Sequence, residues 1–142
     1  MVVKASSADV QAATADLEEQ GRKVVNAFTF GPVLVIDGEV QKIVREQSTH
    51  ALNLAVARTV FCQIGPLKYA VFAADAQKTG YGMNCQELAN FIVKQFPECK
   101  IAYNLDGGGS SKLYIGQTKA NKAPGRREIH GMIYFASAVS ED

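Results

Sequence analysis

The segment Asn104-Leu105-Asp106-Gly107-Gly108-Gly109-Ser110-Ser111 is the part of this sequence best equipped for chemistry. Three glycines leaving an apolar run permit positive φ angles and let a ligand come close to the backbone. Consecutive amides pointing one way make an anion-binding nest, and the hydroxyls of Ser110 and Ser111 add donors suited to a phosphate. Asp106 stands at the mouth of the loop, where a carboxylate serves as nucleophile, base or cation stabiliser. The competing reading is that it caps the turn by accepting from the loop's own amides. No Gly-Lys-Ser/Thr follows at the Walker A spacing, and Lys112 stands where a dinucleotide fingerprint needs its third glycine.

Further polar residues belong in the same account. Asp75 ends an apolar run, as Asp106 does, and is the natural second carboxylate; it is equally a turn starter. Asn104 alternates with Asp106 and shares its side of a regular strand. Arg58 opens an apolar strand, where an unpaired guanidinium is costly, so it calls for an anion or carboxylate neighbour. Arg127, in the doublet Arg126-Arg127 beside Pro124-Gly125, either closes over a substrate or is merely solvated. His50 and His130 show no metal-ligand spacing, so no cofactor is required, although a divalent cation bridging Asp106 and a phosphate is compatible with these residues.

The elements that must position these groups follow from pattern. Ser6 or Ser7 caps a helix running to about Gln20, with Val10, Ala13 and Leu17 on one face and Gly21 to stop it. Val24 to Phe30 and Val33 to Ile36 read as strands, the second ending at the turn Asp37-Gly38. Arg58 to Ile64 and Tyr69 to Asp75 flank Gly65-Pro66 as a hairpin. Asn84 and Glu87 form a capping box ahead of Leu88, Phe91, Ile92 and Phe96, and Pro97 closes that helix. Strands over Lys100 to Leu105, Lys112 to Ile115 and Ile129 to Ala136 complete the pattern, with residues 116–125 a polar connection. The fold class expected is α+β, a mixed sheet with two main helices and one strand-helix-strand crossover. That crossover makes its two strands parallel, so Asp75 and Asp106 both lie at carboxyl ends, where ligands commonly bind.

The totals set bounds. With 142 residues, one domain is expected. Fifteen basic against fourteen acidic residues, with no long run of either sign, give no electrostatic footprint for nucleic acid. No stretch approaches the roughly 20 apolar residues of a membrane span. No signal peptide is read at the N-terminus. Cys62, Cys85 and Cys99 are odd in number, lack a C-x-x-C pair and read as buried or free thiols.

The sequence resembles the phosphodiester glycosidases. Asn104 to Ser111 matches their Asn-Leu-Asp-Gly-Gly-Gly-Ser-Ser signature, and residues from Phe28 to Gly38 look like their Phe-Gly-Pro segment. Arg58-Thr59, Gly82-Met83, and Asn121 with Arg127 and the run from Glu128 to Phe135 follow in the family's order, so the likeness spans about Val10 to Ala136. Asp75-Ala76-Gln77 departs from a frequent Asp-Gly-Arg, and Cys85 from a frequent Leu.

The resemblance implies one domain over residues 1–142 that lacks the family's N-terminal strands, and hydrolysis of a glycosyl-1-phosphodiester to free sugar and a phosphomonoester. It also implies a glycopolymer or glycolipid substrate and an extracellular or cell-surface setting; a monomer is expected, or a homodimer where missing strands leave a sheet edge open. Asp106 and Asp75 are then the catalytic candidates. Arg58, Asn104, Gly107, Gly108, Gly109, Ser110, Ser111 and Arg127 are the substrate and phosphate ligands. The alternative is a non-catalytic module binding sugar-phosphates.

Overall fold

The computed structural model describes residues 7–26, 30–43, 53–76, 82–123 and 127–136. Its elements run α1 (Ser7–Glu19), β1 (Val33–Ile36), β2 (Glu39–Val40), β3 (Arg58–Gly65), β4 (Lys68–Ala74), α2 (Cys85–Gln95), β5 (Ile101–Asn104), β6 (Tyr114–Ile115) and β7 (Thr118–Lys119). Helix α1 stops where expected: Gly21 takes φ +73°, and the Arg22 and Gly21 amides fold back onto the carbonyls of Leu17 and Glu18.

Five strands form one sheet in the order β2-β1-β5-β3-β4. Each neighbouring pair in it is antiparallel. The two-residue turn between β1 and β2 places both Asp37 and Gly38 at positive φ, the twist that suits a tight hairpin. The hairpin of β3 and β4 keeps its register from Arg58↔Ala74 to Gln63↔Tyr69. Helix α2 begins with the expected capping box, in which the Asn84 side chain accepts from the Glu87 amide and the Glu87 carboxylate accepts from the Asn84 amide.

The two helices and the sheet make this an α+β fold. The crossover through α2 does leave β4 and β5 running in the same direction, because each is antiparallel to β3. They are not neighbours, however: β3 lies between them.

Helix α2 supplies Cys85, Leu88, Ala89 and Ile92 to a core completed by Leu34, Val35, Val60, Cys62, Cys99 and Ala102. A register shift between Val33 and Val35 lets β1 bury two consecutive residues, Leu34 and Val35. All three cysteines are free and buried. Burial and the adjoining Cys99 push the Cys62 thiol up to about 12, so it stays protonated and packs as a small hydrophobe.

Three expected elements differ. Residues 24–26 and Phe30 are not in a strand, and residues 27–29 lie outside the described residues. The strand expected over Lys112 to Ile115 is confined to Tyr114–Ile115, and the connection after it contributes β7. The strand expected over Ile129 to Ala136 does not form, although its composition favours one. A strand needs a partner along its length; here the segment leaves Met132 and Tyr134 exposed and sets the Phe135 ring against Phe61 at 6.0 Å and Tyr69 at 6.1 Å, without strand pairing.

Candidate active site

The glycine loop begins where β5 ends, and it continues along the start of β3. Leu105 donates to the Thr59 carbonyl and Gly108 to that of Ala57. Gly107 lies so close to this strand that a Cβ there would stand 2.6 Å from the Ala57 oxygen. Gly82 meets the preceding residue from another side, with a Cβ position 2.6 Å from Val56 backbone atoms. Two glycines from separate motifs therefore press against the lead-in to β3, which explains why side chains are not tolerated at either place. Gly108 takes φ +58°, and residues Gly108–Ser110 form a single 3-10 turn.

The loop's amides are not arranged as a free nest. Gly107 donates to Asp106 Oδ1 at 2.8 Å, Gly108 to the Ala57 carbonyl, and Ser110 and Ser111 to the carbonyls of Gly107 and Gly108. Turn capping thus accounts for one oxygen of Asp106. The other, Oδ2, faces Arg127 Nη1 at 3.8 Å, with the Asp106 side chain 46% and the Arg127 side chain 67% exposed. Arg127 is tied down by its backbone, since its amide donates to the Gly109 carbonyl and its carbonyl accepts from Lys112 Nζ.

Below this pair the polar groups are buried. Asn104 is 3% exposed and donates Nδ2 to the Gly31 carbonyl at 2.8 Å. Its Oδ1 and the Oγ of Ser110 are both buried without a hydrogen-bond partner among the described residues. An orphaned buried polar atom costs about 1–3 kcal/mol, so such atoms need a reason. Ser111 is satisfied, its Oγ 2.7 Å from Thr59 Oγ1. Arg58 is also buried, and carbonyls stand among its partners: Nε donates to Met83 and Nη2 to Leu54. Its guanidinium stitches the helix entry and the segment before β3 together.

Asp75 is placed differently from Asp106. Intervening β3 sets the two strand ends roughly 10 Å apart, twice the spacing of neighbouring strands. The Asp75 carboxylate accepts from Ala123 N at 2.7 Å, Asn121 Nδ2 at 3.1 Å and Lys122 N. Burial pushes this carboxyl up, but the amides of Lys122 and Ala123, the Asn121 side chain and the charge of Lys119 outweigh burial and hold it below its ordinary range.

A family profile for phosphodiester glycosidases matches residues 2–136 of the chain. The chain belongs to the phosphodiester glycosidase family. Human N-acetylglucosamine-1-phosphodiester alpha-N-acetylglucosaminidase is 36% identical over 70 residues, which cover 49% of this chain and 13% of that protein. The solved catalytic domain of the zebrafish enzyme of that name, auto-inhibited by its pro-peptide, is 27% identical with a TM-score of 0.50, over 62% of this chain and 32% of that one. A hypothetical protein from Synechocystis shares the fold at 23% identity, with a TM-score of 0.54, over 66% of this chain and 18% of that one. The chain therefore spans about a third or less of the length of each of these relatives.

Within this member of the phosphodiester glycosidase family, Asp106, Arg127, the three glycines, Ser110, Ser111 and Asn104 gather at one end of β5, with Arg58 beneath them. Asp75 is linked to them through Asn121. That asparagine, 7% exposed, bridges Asp75, the Ser111 carbonyl and the Leu113 amide. Its place in the site is not legible from spacing, since it sits 46 residues from Asp75 in a polar connection. Arg126 and Gln77 lie outside the described residues, as does His50; His130 is exposed. Among the described residues no three His, Cys, Asp or Glu side chains group as a metal site. None of the described helices is long and apolar enough to cross a membrane.

Proposed function

We propose that this chain hydrolyses a glycosyl-1-phosphodiester, releasing free sugar and a phosphomonoester, on the surface formed by Asp106, Arg127 and the glycine loop. The observation that carries the reading is the half-exposed Asp106 carboxylate, anchored by one oxygen to the Gly107 amide and presenting the other toward Arg127. In the reaction the bond between the anomeric carbon and the phosphate oxygen breaks through an oxocarbenium-like state, and water supplies the new hydroxyl. The departing phosphomonoester leaves readily once its charge is neutralised. Arg127 is the cation placed to neutralise it, because its ion pair with Asp106 is long and exposed and an arriving phosphate competes for it easily. The Asp106 oxygen so released faces the carbon on which positive charge develops. Of the two atoms lacking protein partners among the described residues, Asn104 Oδ1 is the acceptor for a sugar hydroxyl and Ser110 Oγ the donor for a sugar or phosphate oxygen.

The substrate class extends to a glycopolymer or glycolipid carrying such a linkage, which places the chain at or outside a cell surface. The test is release of free sugar from a panel of sugar-1-phosphodiesters by the wild-type chain and by Asp106→Asn, with and without chelator. The reading expects turnover that disappears in the variant while its melting temperature is retained. Turnover that survives Asp106→Asn sinks the assignment. Saturable binding without turnover in the wild type makes the chain a sugar-phosphate binding module, and loss of activity to the chelator assigns a divalent cation to the site.

A further inference from the structure

We propose that Asp75 is a positioning residue: acting through Asn121, its carboxylate fixes the exit of the glycine loop. The consequence for catalysis rests on the proposed function, whereas the clasp itself does not.

The connectivity is continuous from β4 to the loop. Asp75, the residue after β4, takes the Lys122 amide on Oδ2 and the Ala123 amide and the Asn121 Nδ2 on Oδ1. Asn121 in turn donates to the Ser111 carbonyl at 3.1 Å and accepts from the Leu113 amide at 2.9 Å, so one side chain brackets both sides of Lys112. Ser111 is the last residue of the glycine segment, and its hydroxyl is pinned to Thr59 on β3. The loop is thereby held at its entry by the carbonyls of Thr59 and Ala57 and at its exit by the clasp.

Only an ionised carboxylate fits this position. All three of its partners are N–H donors, so a protonated acid or an amide would turn a donor toward a donor and forfeit at least one bond. Lys119 is the charged side chain acting on Asp75, and it reinforces the ionised form; its own ammonium also donates to the Ala123 carbonyl.

The deciding measurement is site-resolved hydrogen exchange on the full chain at neutral pH, in the wild type, Asp75→Asn, Asn121→Ala and the double variant. The expected result for either single change is exchange faster by roughly tenfold or more over residues 107–113 and 121–123, with protection in α2 and the β3–β4 hairpin unchanged. The double variant adds little to either single change, because both break one pathway. If residues 107–113 keep wild-type protection while 121–123 alone open, Asp75 does not position the loop and the proposal fails. A uniform rise across the chain in both single variants likewise overturns it, since Asp75 would then serve the whole fold. Turnover is scored alongside: loop opening coupled to lost kcat extends the clasp to catalysis, whereas loop opening in a chain that never turns over leaves the clasp standing and removes the glycosidase reading.

Discussion

Asp75 and Asp106 look alike in the sequence, each an aspartate closing an apolar strand before small residues, and the fold gives them opposite situations. Asp75 is partly buried, with three donors on it and its acidity strengthened. Asp106 holds one amide of its own turn and makes a long, exposed ion pair with Arg127. What separates them is the topology after each strand. The chain past β7 returns two amides and the Asn121 side chain to the Asp75 carboxylate, whereas the later segment at Arg127 brings Asp106 a single exposed guanidinium. A carboxylate surrounded by fixed donors is suited to holding, and one left half in solvent is suited to reacting.

Substitutions test that contrast in order of expected size. Asp106→Asn should lower sugar release by about a thousandfold, as removal of a reacting group does, while moving the melting temperature little. Gly107→Ala should cost about 1–3 kcal/mol in denaturant unfolding, because the new Cβ meets the Ala57 carbonyl, a backbone atom that cannot turn aside. Gly108→Ala, with open space around it but φ +58°, should cost about 1–2 kcal/mol through backbone strain alone. Asp75→Asn should also cost about 1–3 kcal/mol at neutral pH, and its effect should depend on acid. The folded carboxyl titrates below the ordinary value of 3.8, so its contribution is complete above that pH and is lost as pH falls through the folded value. Melting curves of wild type and variant should therefore converge in strong acid. Arg127→Ala should be the smallest change in stability, under about 1 kcal/mol, since both partners of its ion pair are exposed. It should nevertheless raise KM for a phosphodiester, and an unchanged KM would remove Arg127 from the site.

Local signals are legible in this sequence and long-range ones are not. The Asn84–Glu87 box, the Asp37-Gly38 turn and the hairpin around Gly65-Pro66 are decided by residues within four or five positions of one another, and each forms as expected. The Ile129 to Ala136 segment has strand composition, but composition cannot supply the neighbouring strand that would use it. The glycines after Asp106 are legible as a tight loop, whereas the destinations of their amides depend on Ala57, some fifty residues earlier. The same limit hides Asn121, whose polar character suits an exposed connection equally well until Asp75 is brought beside it. Arg58 does need partners, as its place in an apolar strand implies, and carbonyls from the segment before β3 and from the entry to α2 are among them, which no local pattern announces.

The central place of β5 also bears on how the chain acquires its structure. The β3–β4 hairpin closes from adjacent sequence, and β1 can find β2 across two residues, yet the two hairpins have no edge in common until β5 inserts between β1 and β3. That insertion joins residues 33–36 to 101–104, a long loop to close, and such non-local pairing is slow compared with local hairpins. The strand that leads into Asp106 is also the last of the five-stranded sheet in chain order, so the element that unites the two hairpins is the one that presents the site.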